Sequence, residues 1–195
     1  MSEHEFGNSV ENIQIIENVL SQEEHKKILD YTVNIEGWQK QPWGVEYFNV
    51  EKGLSPEIMD LLDKVHRITL KNCEDRYNIK LRVFDKQEVH VVRFETNFSM
   101  NQHIDTAGDF ATIYYINDNY EGGEINFPWH DLKIKPKANS CVTFPSNQDY
   151  LHEVLKNIGE RYSAPLWFNF EGSKYRGNIN EIEGTADTVN FKKRN

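Results

Sequence analysis

The chain has 195 residues and a formal net charge of −9, from 22 basic and 31 acidic side chains. Its longest basic run is Lys192-Lys193-Arg194, so it lacks the cationic surface that nucleic-acid binding needs to displace counterions, and an anionic membrane is an equally poor partner. Hydrophobic residues at 38% and aromatic residues at 12% supply one domain core and exclude general disorder. No apolar run approaches the roughly 20 residues of a membrane-spanning helix. The polar, acidic start (MSEHEFGNSVEN) predicts no secretory leader. Cys73 and Cys141, in apolar or helical surroundings, predict no disulfide framework and hence a reducing, cytoplasmic setting.

In chain order, residues 1–11 read as a flexible arm. Ile13–Val19 is a short apolar run expected to form a strand. Ser21 followed three residues later by Glu24 has the form of a capping box, with Glu23 adding negative charge to the first turn. The helix that follows, about 22–34, places Leu29 and Val33 one turn apart with Ile28 beside them. Residues 35–54 hold Gly37, Pro42, Gly44 and Gly53 with Trp38 and Trp43, and read as a structured loop whose tryptophans either cover a cleft or form a satellite cluster. Ser55-Pro56-Glu57 predicts a second helix, capped by Ser55 with proline at its first position. Its core stripe is Ile58, Leu61, Leu62, Val65 and Ile68.

From Ile79 onward the pattern turns to β. Short β-prone runs occur at 89–94, 111–116, 125–127, 132–134, 141–144 and 166–168, separated by turn residues such as Asn117-Asp118-Asn119, Gly122-Gly123, Pro145-Ser146-Asn147 and Gly159. Many short strands at this spacing predict an antiparallel sandwich or barrel. The expected architecture is α+β, mostly β, with N-terminal helices packed on one face. It divides into helical support over 12–78, a core over 79–170 and a polar tail over 171–195.

The chemistry concentrates in NQHIDTAG, residues 101–108. His103 and Asp105 are two apart, so on extended backbone they project to the same face. His152, in Tyr-Leu-His-Glu-Val, is the third candidate ligand. Two imidazoles and one carboxylate on one face of an octahedron make the facial triad of non-haem Fe(II) oxygenases. One anionic ligand leaves the ion cationic enough for an anionic co-substrate, and the open positions take a bidentate 2-oxo acid plus dioxygen. Arg161 follows His152 after nine residues, and it offers the fork of N–H donors that matches the far carboxylate of such an acid. His152 and Arg161 are expected on neighbouring strands joined by the turn around 157–159. His90 and His130, lacking a carboxylate at ligand spacing, read as structural.

In order along the chain stand His103-x-Asp105, Ile113-Tyr114-Tyr115-Ile116-Asn117, Gly122-Gly123-Glu124, Phe127-Pro128, Pro136, Phe144-Pro145-Ser146, His152-Glu153-Val154, Arg161-Tyr162-Ser163 and Trp167. Over roughly residues 88–170 this series resembles the Fe(II)/2-oxoglutarate-dependent dioxygenases of the prolyl 4-hydroxylase type. The resemblance implies a double-stranded β-helix (jelly roll), with His103, Asp105 and His152 as metal ligands. Arg161 would bind the distal carboxylate of 2-oxoglutarate, Tyr115 would meet the same carboxylate, and Trp167 would line the pocket near iron. It implies Fe(II), 2-oxoglutarate and ascorbate as cofactors. The implied reaction is hydroxylation of a C–H bond in a peptide or protein, with release of succinate and CO2. The same chemistry on a free amino acid or small molecule, and a metal-binding jelly roll without turnover, are the other readings. Three departures stand out. Phe94 replaces a tyrosine usual in hydroxylases of this type, Pro165 falls inside the last expected strand, where an edge or bulge is predicted, and Ala138-Asn139 replaces a glycine turn, a change expected to touch only loop shape. Loops 35–54 and 95–102 are where substrate specificity is expected.

Overall fold

A computed structural model describes residues 8–42, 44–49, 52–83, 89–105 and 108–170. The start of the expected arm, Trp43 and the tail over 171–195 with its Lys192–Arg194 run lie outside the described residues. The arm expected over 1–11 is folded where it meets the core: Val10–Asn12 form a turn of 3-10 helix. Tyr150 donates to the carbonyl of Ser9, and Asn12 donates to the Tyr150 hydroxyl at 2.7 Å.

Strand β1, Gln14–Glu17, leads into helix α1, Gln22–Val33. The capping box forms as expected. The Ser21 hydroxyl accepts from the Glu24 N–H at 3.3 Å and the Glu24 carboxylate accepts from the Ser21 N–H at 3.1 Å, which satisfies two otherwise orphaned donors. The buried face of α1 differs from the expected Leu29–Val33 pair. His25, Ile28 and Thr32 face the core, and Val33 is 48% exposed. Apolar periodicity misleads here because the sheet provides a partner for a polar side chain. The Tyr114 hydroxyl lies 2.7 Å from His25 Nδ1, which lets a histidine take a core position.

Helix α2, Pro56–Tyr77, begins as read, with Ser55 as its cap and Pro56 in its first turn. Ile58, Leu62, Val65, Thr69 and Cys73 make its buried stripe, and Leu61 and Ile68 pack along the border. His66 is also buried, and desolvation lowers its pKa from 6.5 to about 3. The folded chain therefore keeps this imidazole neutral down to about pH 3, while the unfolded chain takes up a proton near its ordinary value. The stability this contributes is complete above about pH 6.5 and falls by about 1.4 kcal/mol per pH unit as pH drops towards 3. Urea midpoints of a His66→Leu variant between pH 7 and 4.5 are expected to fall less steeply than those of the parent. Parallel slopes would refute the buried-imidazole account.

The other strands among the described residues are β2 (Gln39–Lys40) and β3 (Glu46–Asn49), before α2, and, after it, β4 (Leu81–Val83), β5 (His90–Phe94), β6 (Met100–His103), β7 (Phe110–Tyr115), β8 (Glu121–Gly122), β9 (Ile125–Phe127), β10 (Leu132–Ile134), β11 (Ser140–Pro145), β12 (His152–Val154), β13 (Asn157–Ile158) and β14 (Arg161–Phe170). The pairings are antiparallel. A large sheet runs β1-β11-β7-β14-β5-β3-β2, with β4 also on β14, and a smaller sheet runs β10-β9-β12-β6. The two sheets close on Ala111, Tyr115, Ile125, Phe127, Val142 and Phe144, while α1 and α2 cover the outer face of the large sheet over Ile28, Leu62, Val65, Val91 and Tyr114. This is the jelly roll with helices on one face. Cys73 and Cys141 are free and buried.

Three expectations change at this level. The loop read over 35–54 contains β2 and β3, because Val45 and Phe48 find cover only once β5 supplies a partner edge; the helical segment to residue 78 thus also contributes strands. Trp38 belongs to the outer core, packed 6.2 Å from Phe48 and 6.0 Å from Tyr162, and this removes it as a cleft cover. The loop read over 95–102 ends in β6. Asn139 does more than shape a turn: it adopts the left-handed conformation, accepts from the Leu20 N–H at 3.0 Å and from Tyr114, and donates to the Leu20 carbonyl at 2.8 Å. Pro165 does fall at a local edge. β5 pairs with residues 161–163 of β14 and β4 with residues 168–170, so one side of the strand is unpaired where proline has no N–H to give.

Candidate active site

The register of the smaller sheet assembles the three expected ligands. β12 lies against β6 with His152 opposite His103 and a register shift immediately after it. Cross-strand neighbours sit close enough for their side chains to meet, and the two imidazole centroids are 4.3 Å apart. Asp105, two residues beyond His103 where β6 has ended, turns its carboxylate between them. Its oxygens lie 4.0 Å from His103 Nε2 and 3.9 Å from His152 Nε2. One ligand atom from each residue falls within 4.8 Å of the others, a group that can hold a metal ion.

Hydrogen bonding fixes which nitrogens are available. His103 Nδ1 lies 2.8 Å from the Asn101 carbonyl and His152 Nδ1 lies 3.1 Å from the Tyr150 carbonyl. A carbonyl only accepts, so each Nδ1 carries the proton and each Nε2 presents a lone pair towards Asp105. Phe127 and Phe144 pack on His152, the latter ring 4.7 Å away. Burial and the neighbouring His103 push the His152 pKa well below its usual value, so the imidazole stays neutral. Burial raises Asp105, against the opposing pull of His103 and of Trp167. A dication between these groups offsets that burial cost, since neutral imidazoles and a carboxylate are the forms that ligate.

The second constellation lies further along β14. Arg161 and Trp167 share the inward face of that strand, six residues apart. The Arg161 side chain is among the largest fully buried ones, at 1% exposure. It forms no ion pair among the described residues: Nη1 reaches only the Ser163 hydroxyl, at 3.5 Å, and Nε has no partner. Its guanidinium carbon sits 4.6 Å from the Phe94 ring centroid and 5.0 Å from that of Tyr115. The Tyr115 and Tyr120 hydroxyls are buried without partners. A buried cation surrounded by ring faces and idle O–H donors is a receptor for an anion, because burial without one is costly. The residues present thus fit a metal chelated by an acid whose second carboxylate runs towards Arg161.

The remaining expectations sort as follows. Arg161 does not pair with Glu160, which instead joins Arg93 and Tyr162. His152 and Arg161 are not on neighbouring strands. β12 belongs to the smaller sheet and β14 to the larger, with β13 between them in sequence, so the two side chains converge from opposite walls. Tyr114 faces the helices and Tyr115 the interior, as alternation requires. His130 is structural: its Nε2 lies 2.9 Å from the Asp149 carbonyl and its ring stacks on Tyr150. His90 stacks near Trp167, at 6.3 Å. Sequence reasoning missed Tyr120, a lone aromatic in an irregular segment just before the Gly122-Gly123 turn, where no periodicity singles it out.

Comparison with known proteins follows the same residues. Residues 89–169 match the family described as the 2OG-Fe(II) oxygenase superfamily. Prolyl 3-hydroxylase 2 of Rattus norvegicus is 35% identical over 72 residues, 34% of this chain and 10% of that protein, so the match spans about a tenth of the curated relative's length. A viral collagen prolyl hydroxylase from Paramecium bursaria Chlorella virus-1, solved with 2OG, superposes with a TM-score of 0.62 at 20% identity, covering 80% of this chain and 95% of that one. A prolyl hydroxylase from Trichoplax adhaerens, solved with a hypoxia-inducible-factor peptide, superposes with a TM-score of 0.68 at 20% identity and covers 86% of each chain. The family match is thus confined to residues 89–169, which include His103, Asp105, His152 and Arg161, while the likeness in fold to these prolyl hydroxylases extends over 80–86% of the chain.

Proposed function

We propose that the chain hydroxylates a C–H bond of a prolyl residue in a peptide or protein, using Fe(II) and 2-oxoglutarate. His103, Asp105 and His152 would hold the iron through two Nε2 atoms and a carboxylate oxygen. With both bound, iron and 2-oxoglutarate supply the oxidation, one oxygen atom of O2 going to the C–H bond and one to succinate as CO2 leaves. The chain's own contributions are positional. The Asn101 and Tyr150 carbonyls hold the two imidazoles in the ligating tautomer. Phe127 and Phe144 keep water from His152. Arg161 and Tyr115 would take the distal carboxylate, and Trp167, which favours the ionised form of Asp105, would line the pocket beside it. Ascorbate would serve by keeping iron ferrous.

The observation that carries this reading is the buried Arg161 guanidinium without an acid partner, on the wall opposite a His-Asp-His cluster. Neither feature alone asks for a co-substrate, whereas together they ask for a chelating diacid. The prolyl substrate class rests on the names of the relatives, which are prolyl hydroxylases of peptides and proteins. Purified protein with Fe(II), ascorbate, 2-oxoglutarate and proline-containing peptides is expected to release succinate in step with addition of one oxygen atom to the peptide. Amino-acid analysis of the product distinguishes 4-hydroxyproline from 3-hydroxyproline. Succinate formation coupled only to a small molecule or free amino acid would overturn the substrate class and leave the chemistry intact. No decarboxylation under any condition, with metal still bound, would support a binding jelly roll.

A further inference from the structure

Tyr120 lies between β7 and β8 with 6% of its surface exposed. Its hydroxyl is buried and has no hydrogen-bond partner among the described residues, although the rest of the residue is firmly held. Lys135 Nζ stands 3.6 Å from its ring centroid and donates to its carbonyl at 2.7 Å and to that of Gly122 at 2.5 Å. The ring edge packs so tightly on Gly123 that a Cβ there would come within 2.8 Å of it. A ring clamped in this way aims its O–H rather than letting it turn to solvent. Its Cβ and Cα pack on Gly159, two residues before Arg161, at 3.4 and 3.5 Å from where a Cβ there would stand, and Arg161 Nε and the Tyr115 and Tyr120 hydroxyls are the buried polar atoms left over in this corner. The Arg161 charge pulls both phenols against the rise that burial causes.

Counting donors gives the role. An ionised carboxylate offers about four acceptor sites and a guanidinium fork fills two of them. Tyr115 can fill a third. Phe94, on the other side of Arg161, presents only a ring face and no donor. We propose that Tyr120 supplies a further donor, so that Arg161, Tyr115 and Tyr120 together take the distal carboxylate of the 2-oxo diacid. This rests on the co-substrate reading above and adds to it a specificity-determining residue: the hydroxyl rewards a ligand that carries a second acid.

The experiment measures equilibrium binding by calorimetry to the Mn(II)-loaded protein without oxygen, with 2-oxoglutarate and with oxalate, which chelates the metal but has no distal acid. Tyr120→Phe is expected to weaken 2-oxoglutarate about tenfold, the cost of one hydrogen bond to a charged group, and to leave oxalate unchanged. Tyr120→Met, a second variant without the hydroxyl, is expected to show the same selective loss. In turnover the KM for 2-oxoglutarate rises about as much while kcat holds. Unchanged 2-oxoglutarate affinity, or an equal loss for both ligands, would overturn the assignment and leave Tyr120 a packing residue. An Arg161→Met variant separates the two levels. If it loses 2-oxoglutarate while Tyr120→Phe does not, only Tyr120 is wrongly assigned; if it keeps full affinity, the co-substrate reading itself fails.

Discussion

Asp105→Ala is expected to abolish succinate formation and to weaken Mn(II) binding by at least about 100-fold, since loss of an outer hydrogen-bonding partner alone costs 10–100-fold. The reason lies in charge. Asp105 is the single anionic group of the cluster, standing 3.9–4.0 Å from both Nε2 atoms, and neutral imidazoles alone leave a dication poorly compensated. The metal-free variant should fold as well as the parent. Burial already raises the Asp105 pKa and makes its charge expensive, so alanine removes a cost along with the ligand. Titration with Mn(II) followed by electron paramagnetic resonance, beside a thermal melt, tests both statements. Parental Mn(II) affinity in a folded variant would place the metal elsewhere.

Arg161→Met is expected to separate function from stability. 2-oxoglutarate binding should fall by more than about 100-fold, because a bidentate charge-assisted pair disappears. The metal-free protein, by contrast, should become more stable. Arg161 is 1% exposed and has no carboxylate partner among the described residues, and replacing buried charge by an apolar side chain of similar length is commonly neutral or stabilising by about 1–4 kcal/mol. For a chain of this length each kcal/mol moves the melting temperature by about 2–4 °C. A differential scan without 2-oxoglutarate checks the gain, and a lower melting temperature would show that Arg161 is a structural residue instead. Such strain at a site is what selection for binding tolerates and selection for stability alone would remove.

Much of this protein is legible before any coordinate. The Ser21 and Ser55 caps, the start of α2 and the cores of β5, β7, β9, β10 and β11 follow from local propensity and period-two patterning. His103 and Asp105 were legible as a ligand pair from their spacing, although β6 ends at His103 and Asp105 follows it in irregular backbone. The buried face of α1 was not legible, because His25 becomes acceptable in a core only through Tyr114, 89 residues further on. β2, β3 and β6 were hidden in the same way: they are short, polar or glycine-flanked, and pairing rather than propensity makes them strands. Asn139 read as a loop residue because its partners, Leu20 and Tyr114, come from two other elements.

By itself the sequence determined which chemistry is possible: two imidazoles, a carboxylate and an arginine at telling intervals, on a chain patterned for antiparallel strands. The tertiary structure decided that the imidazoles meet across one sheet while the guanidinium comes from the other. The physical reason is that ligand identity and strand alternation are local properties of the chain. The register between strands 49 residues apart, counting from His103 to His152, and the burial of a charge without a partner are fixed only when two sheets close on a common core.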